Sequence, residues 1–279
     1  MRRGLRRDLK AYIAAAYLAC LCLPAAVYAQ TAGTPPGNDT PPAITGVTIS
    51  GAVIKPGTYD FPAGARLHDA SVTAQINAQA WFLGAALLRQ SAMEPQQRLK
   101  VGLLFELNAN RVHALAVEDA ELHELITRLY RAVEAMPVTG RTVAQLDPLQ
   151  QLILSNNPLL ENGDRLLYPR KAEQVRVTGA VMADCVLPHD PSWQMLDYLK
   201  ACQRHPLAER NSAYLIQPNG TWQTYGIAYW NLQPADVATG AIIYLPPQPK
   251  RLSPSTRGLN NDMAAMLATQ YQLGGRFSE

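Results

Sequence analysis

Apolar and polar residues alternate along Val47-Thr-Ile-Ser-Gly-Ala-Val53, the pattern of a strand with one buried face. The same pattern recurs as Val175-Arg-Val-Thr-Gly-Ala-Val181. Each copy leads to a proline turn, Lys55-Pro-Gly-Thr58 in the first and Leu187-Pro188 in the second. Each also ends on a similar apolar strand, Arg165-Leu-Leu-Tyr168 and Ala241-Ile-Ile-Tyr-Leu245, each introduced by a glycine. Matched ends predict one unit used twice, with roughly 50 additional residues inside the first.

Within the first unit, Thr58–Phe61 is the expected return strand, and Arg66-Leu-His-Asp69 starts a helix. Residues 72–137 read mainly as helix. Ile76, Ala80, Leu83, Leu87 and Leu88 keep helical spacing, with Trp81 and Phe82 adding bulk. Pro95 interrupts the pattern. Leu99, Leu103, Leu104 and Leu107 then favour helix over strand. From Asp119 to Met136 a stripe of Leu122, Leu125, Ile126, Leu129 and Val133 runs until Pro137 stops it.

The second unit is shorter. A helix is expected over Ser192–Cys202, with Ser192 as its N-cap. Strands are expected at Ala213–Ile216 and Thr221–Ala228 around the hairpin turn Pro218-Asn-Gly220. The order strand, strand, helix, strands is that of a β-grasp module, a mixed sheet crossed by one helix. The expected fold class is therefore α+β: two tandem β-grasp domains, the first with a helical insertion, plus a C-terminal amphipathic helix. The boundaries expected are residues 44–170 for the first domain, with the insertion at about 72–137, and 171–249 for the second. A tail follows over 250–279. Leu252-Ser-Pro-Ser255 reads as a tether, and Asn261–Gln272 as a helix with Met263, Met266, Leu267 and Tyr271 on one face, ended by Gly274-Gly275. That face suits docking on its own protein, a partner or a membrane, although no Lys or Arg lines its polar side.

The N-terminus changes the charge picture. Arg2, Arg3, Arg6, Arg7 and Lys10 precede the apolar run Ala11–Leu23, and Val27-Tyr-Ala29 is a signal-peptidase site before Gln30. Residues 1–29 are expected to be a cleaved signal peptide, and 30–43, rich in Thr, Gly and Pro, a flexible linker. Export moves the net charge from +3 to −1, which removes any electrostatic footprint for nucleic acid. Of four cysteines, Cys185 and Cys202 remain in an oxidising compartment. They are either a disulfide or two buried thiols.

Gly-x-Ser-x-Gly, a phosphate-binding glycine loop and His-Glu-x-x-His are all absent from the sequence. His68, His113, His123, His189 and His205 form no ligand-spaced pair, so neither metal nor cofactor is expected. Binding candidates are few. Trp222 and Trp230 would share one face of a regular strand, where sugar rings could stack, or that face is core. Arg141 follows Thr139-Gly140 at a turn. It is placed either to fork onto an acidic sugar or a partner carboxylate, or to cap the preceding helix.

Val47–Val53, Trp81-Phe-Leu-Gly-Ala-Ala86, Met136-Pro-Val-Thr-Gly-Arg141, Leu160–Pro169 and Val175–Val181, in this order, resemble the capsule-biosynthesis GfcC-like family over roughly residues 44–275. The resemblance implies two β-grasp modules similar to the soluble-ligand-binding domains of polysaccharide export channels. It implies a periplasmic, non-enzymatic accessory or adaptor role in capsule or exopolysaccharide assembly and export. Polysaccharide, the outer-membrane export channel or other assembly proteins would be the partners, with the membrane reached only through them. It supplies no catalytic residue. The alternative is a polysaccharide-modifying enzyme with a carboxylate pair.

Overall fold

The computed structural model describes residues 44–271; the expected signal peptide, linker and terminal Gly274-Gly275 lie outside them. The described chain is α+β, with two five-stranded sheets and five α-helices. In the first sheet β1 (Ile44–Gly51) and β2 (Gly57–Pro62) form a hairpin, followed by helix α1 (Leu67–Ala74). The other strands are β3 (Ala86–Leu88), β4 (Arg141–Thr142) and β5 (Asp164–Tyr168), in the spatial order β2-β1-β5-β3-β4. Between β3 and β4 come the long helices α2 (Met93–Ala116) and α3 (Ala120–Ala135). The second sheet has β6 (Gln174–Gly179), β7 (Cys185–Pro188), helix α4 (Met195–Ala201), β8 (Ser212–Ile216), β9 (Trp222–Gly226) and β10 (Ile242–Leu245). Its order, β7-β6-β10-β8-β9, repeats the first. In both sheets the opening strand runs parallel to the closing strand, and every other pairing is antiparallel.

The repeat extends to single atoms. Gly51 and Gly179 end the first strand of each sheet with φ of 93° and 103°. A Cβ there would lie 2.1 Å from the Tyr168 carbonyl oxygen and 2.3 Å from that of Leu245, so both positions require glycine. The next amides, of Ala52 and Ala180, donate to those same carbonyls at 2.6 and 2.7 Å. Both short helices open alike. The Asp69 carboxylate accepts from the Arg66 amide, and that of Asp197 from the Gln194 amide. The N-cap of α4 is therefore Gln194. Ser192 instead binds Asp190, and the helix starts later than expected.

Three further expectations are corrected. Residues 76–88 are not helical: a single 3₁₀ turn at Phe82–Gly84 leads into β3. Ala85–Leu88 is buried on both sides, and a strand of that kind has no period to separate it from a helix. Gly84 lies under the Trp81 ring, where a Cβ would come within 2.1 Å. Leu187-Pro188 sits in the return strand β7 rather than in the turn. Residues 252–256 are no tether. Leu252 and Thr256 are buried, Asn110 donates to the Thr256 hydroxyl, and the Ser253 amide donates to Asn110.

The inserted helices, although they branch from the first sheet, share a core with the second. Leu103, Leu107, Leu122, Leu125, Ile126 and Val133 pack in one cluster with Val175, Val177, Tyr198, Ile243 and Tyr244. Helix α5 (Leu259–Ala268) joins that cluster through Leu259, Met263, Met266 and Leu267. The first sheet keeps its own core of Val47, Ile49, Leu67, Leu87, Leu166 and Tyr168. Both sheets belong to one compact unit.

Candidate functional site

Strand β9 is an edge of the second sheet, and its exit builds the most exposed aromatic group of the described residues. The chain leaves Gly226 and doubles back at Ala228–Asn231. The Asn231 amide donates to the Ala228 carbonyl, and the Ala228 amide to the Asn231 side chain. Asn231 also donates to the Asn211 carbonyl, which ties the turn to the start of the neighbouring strand β8. The Gln233 amide donates to the Gly226 carbonyl, and the Gly226 amide to the Gln233 side chain. Gly226 is required by contact: a Cβ would fall 1.9 Å from the Asn231 carbonyl oxygen. The turn is thus held by five hydrogen bonds. Its tip carries Tyr229, fully exposed at 101%, and Trp230, at 75%.

A cleft of about 360 Å³ lies between the two ends of this loop and the start of α4. Met195, Leu196, Ile227, Leu232 and Pro234 supply its apolar wall, and Gln194, Asp197 and Gln233 its polar groups. Asp197 is its single carboxylate lining, and the Gln194 amide and Lys200 already contact it. Tyr229 and Trp230 do not line this cleft; exposed aromatic rings of this kind suit the face of a sugar ring, whose C–H bonds stack on them. The corresponding connection of the first sheet, between β4 and β5, instead exposes aliphatic side chains, Leu149, Leu152, Ile153 and Leu154.

Trp222 and Trp230 do not share a strand face, because β9 ends at Gly226. Trp222 lies on the edge strand, 39% exposed, its ring 5.8 Å from that of Tyr214. Trp230 belongs to the turn. The sequence pointed to Trp230 but passed over Tyr229, because an assumed unbroken strand put Tyr229 on the opposite side.

Arg141 is no surface ligand. It is 7% exposed, and its guanidinium donates to the carbonyls of Pro218 and Gln270. It caps neither α2 nor α3. It clamps the edge of the first sheet to the β8–β9 turn and to the chain leaving α5. Burial pushes its pKa down to about 10, so it stays charged at neutral pH. Gln96 holds it in place by donating to the Arg141 carbonyl and accepting from the Gly140 amide. Cys185 and Cys202 are joined in a disulfide, with Cα atoms 6.0 Å apart, fastening β7 to the end of α4.

A second cleft, about 510 Å³, lies between α3 and the second sheet, lined by His123, Thr127, Arg128, Arg131, Met182 and His205 among others. Arg128 is committed there to the carbonyls of Gly179, Val181 and Met182. Burial first, and Arg128 second, lower the His205 pKa. Among the described residues no group of three His, Cys, Asp or Glu could hold a metal ion, and no helix is long and apolar enough to cross a membrane.

Two family descriptions match this chain. Residues 48–171 match "Capsule biosynthesis GfcC, N-terminal", and residues 184–271 match "Capsule biosynthesis GfcC C-terminal". Uncharacterized protein YjbG of Escherichia coli (strain K12) is 26% identical over 191 residues, spanning 68% of this chain and 76% of that protein.

Proposed function

Because this chain belongs to the capsule-biosynthesis GfcC family, we propose that it is a periplasmic accessory protein of capsule or exopolysaccharide assembly and export, which recognises polymer or its export machinery without turning it over. The observation that carries this reading is the Tyr229–Trp230 tip, two large aromatic rings held out on a turn fastened by hydrogen bonds of Gly226, Ala228, Asn231 and Gln233. Core packing gives no reason for such exposure, and recognition does. Rigid aromatics lose little entropy on binding, so a pre-formed turn favours affinity. The shared sheet order supports two β-grasp modules, and α5, with Met263, Met266 and Leu267 buried and Asn261 and Asp262 outward, supports an amphipathic terminal helix. The leader sequence supports export, with an outer-membrane export channel or another assembly protein as further partner.

Affinity electrophoresis through gels containing the producing strain's polymer tests the reading. Wild type is retarded, and Trp230→Ala weakens retention by roughly tenfold or more while melting unchanged. A deletion strain is expected to make polymer of normal chemistry that fails to reach the surface. Unchanged retention by Trp230→Ala/Tyr229→Ala, or polymer of altered composition in the deletion strain, overturns it.

A further inference from the structure

Strand β9 leaves part of its backbone unpaired. Its register sets Trp222 against Ile216 and Gly226 against Ser212. The Gln217 amide donates to the Thr221 carbonyl, and the Ile227 amide to that of Asn211. Antiparallel bonding alternates, so Thr221, Gln223, Tyr225 and Ile227 turn their backbone groups toward β8. Trp222, Thr224 and Gly226 turn theirs outward. Gln233 takes those of Gly226, through its own amide and its side chain. Among the described residues nothing pairs with the outward amides and carbonyls of Trp222 and Thr224. Both side chains, and that of Gln223 between them, are exposed.

The other sheet edges are guarded. Strand β4 holds the matching place in the first sheet, and its outward groups are taken: the Arg141 amide donates to the Thr139 hydroxyl, and the Arg141 carbonyl accepts from Gln96. Strand β2 exposes Asp60 and ends on Pro62, and β7 ends on Pro188. Charge and proline are the usual protection of an edge. Strand β9 has neither, and no charged residue occurs from Asn211 to Ala235.

Amides and carbonyls repeating every second residue are matched by another extended backbone. The free groups lie symmetrically about Gln223, so this edge is complementary to its own reverse. At the centre stands a glutamine, whose amide can both donate to and accept from its own copy. A charged residue there would repel itself. We propose that β9 pairs antiparallel with β9 of a second copy, about a two-fold axis at Gln223. Trp222 of each copy exchanges its outward backbone bonds with Thr224 of the other. Each indole then faces a β-branched side chain, a favourable cross-strand match. Gln233 at one end and the β8–β9 turn at the other stop the pairing, and the two-fold closes it at a dimer.

Cysteine cross-linking of the mature protein tests the register. With Cys185 and Cys202 bonded, Gln223→Cys supplies its single thiol. Its copy lies opposite, with Cα atoms about 4.5 Å apart, within the span of a disulfide. Thr224→Cys meets its copy only diagonally, at roughly 7–8 Å. Tyr229→Cys is fully exposed but away from the axis. In glutathione buffer Gln223→Cys is expected to become a covalent dimer while the other two stay monomeric. Sedimentation equilibrium over a concentration series tests the contact without a cross-link. Wild type is expected to show a monomer–dimer equilibrium. Gln223→Glu and Gln223→Lys each weaken it by roughly tenfold or more, with unchanged melting, and an equal mixture of the two restores it. A wild type that stays monomeric throughout overturns the proposal. So does a Gln223→Cys thiol that cross-links no faster than Tyr229→Cys, or a mixture that fails to associate. A monomer whose Gln223→Cys thiol is captured by another envelope polypeptide overturns it in favour of a foreign strand.

Discussion

Gly51 and Gly179 hold equivalent places, each turning the chain with positive φ while its neighbour's amide reaches the closing strand. Gly179→Ala forces a Cβ against the Leu245 carbonyl oxygen in a strained conformation, and is expected to cost about 3 kcal/mol, read as a fall in Tm. These glycines were legible because a Gly-Ala-Val triplet stands at the end of two alternating strands. Arg141 was not legible in the same way. Its residue type suggests a ligand, and only its burial shows that the fork serves the Pro218 and Gln270 carbonyls. Arg141→Ala leaves those carbonyls without their donor and is expected to lower stability by about 2–4 kcal/mol. Arg141→Lys rescues little, since one ammonium cannot span both acceptors. Thermal denaturation of the two variants checks both statements.

Among the elements, α3 and the strands with one buried face could be read from periodicity, since each has a single apolar side. Strand β3 hid because both its faces are covered, and the length of α2 was obscured by Pro95, which lies in its first turn where the missing amide costs nothing. The disulfide between β7 and α4 spans 17 residues, so Cys185→Ala/Cys202→Ala is expected to lose about 3 kcal/mol in denaturant melts. Helix α5 docks on α2 beside a pair of acids. Burial, and secondarily Asp262, raises the pKa of Glu106 above its ordinary 4.5. A carboxyl whose folded pKa is raised contributes its stability below the unfolded value and loses it as pH climbs through the folded one. The native state holds that proton more tightly, so this contact weakens as pH rises from about 4.5 toward neutrality. Tm measured against pH is expected to fall less steeply across that window in Glu106→Gln than in wild type; equal slopes would show that Glu106 contributes nothing.

At the scale of the whole molecule, the insertion is what makes two repeats into one body. Residues 89–140 stand between β3 and β4, where residues 217–221 suffice between β8 and β9, and their helices pack into the second sheet's core. Order and duplication could be read from the sequence; the cross-packing could not, because an apolar stripe states that a face is buried without stating against what. The same holds for the Tyr229–Trp230 turn, whose geometry depends on Asn231 and Gln233 folding back on Gly226. Joined through Arg141, Arg128 and the tail, the modules form one compact unit that presents that turn. The most direct measurement is a titration of the isotope-labelled mature protein with defined oligosaccharides cut from the producing strain's polymer, followed by amide chemical shifts. The account predicts saturable shifts confined to residues 226–234 and the start of α4. Saturating oligosaccharide that leaves these amides unmoved, or that shifts only residues of the first sheet, would contradict it.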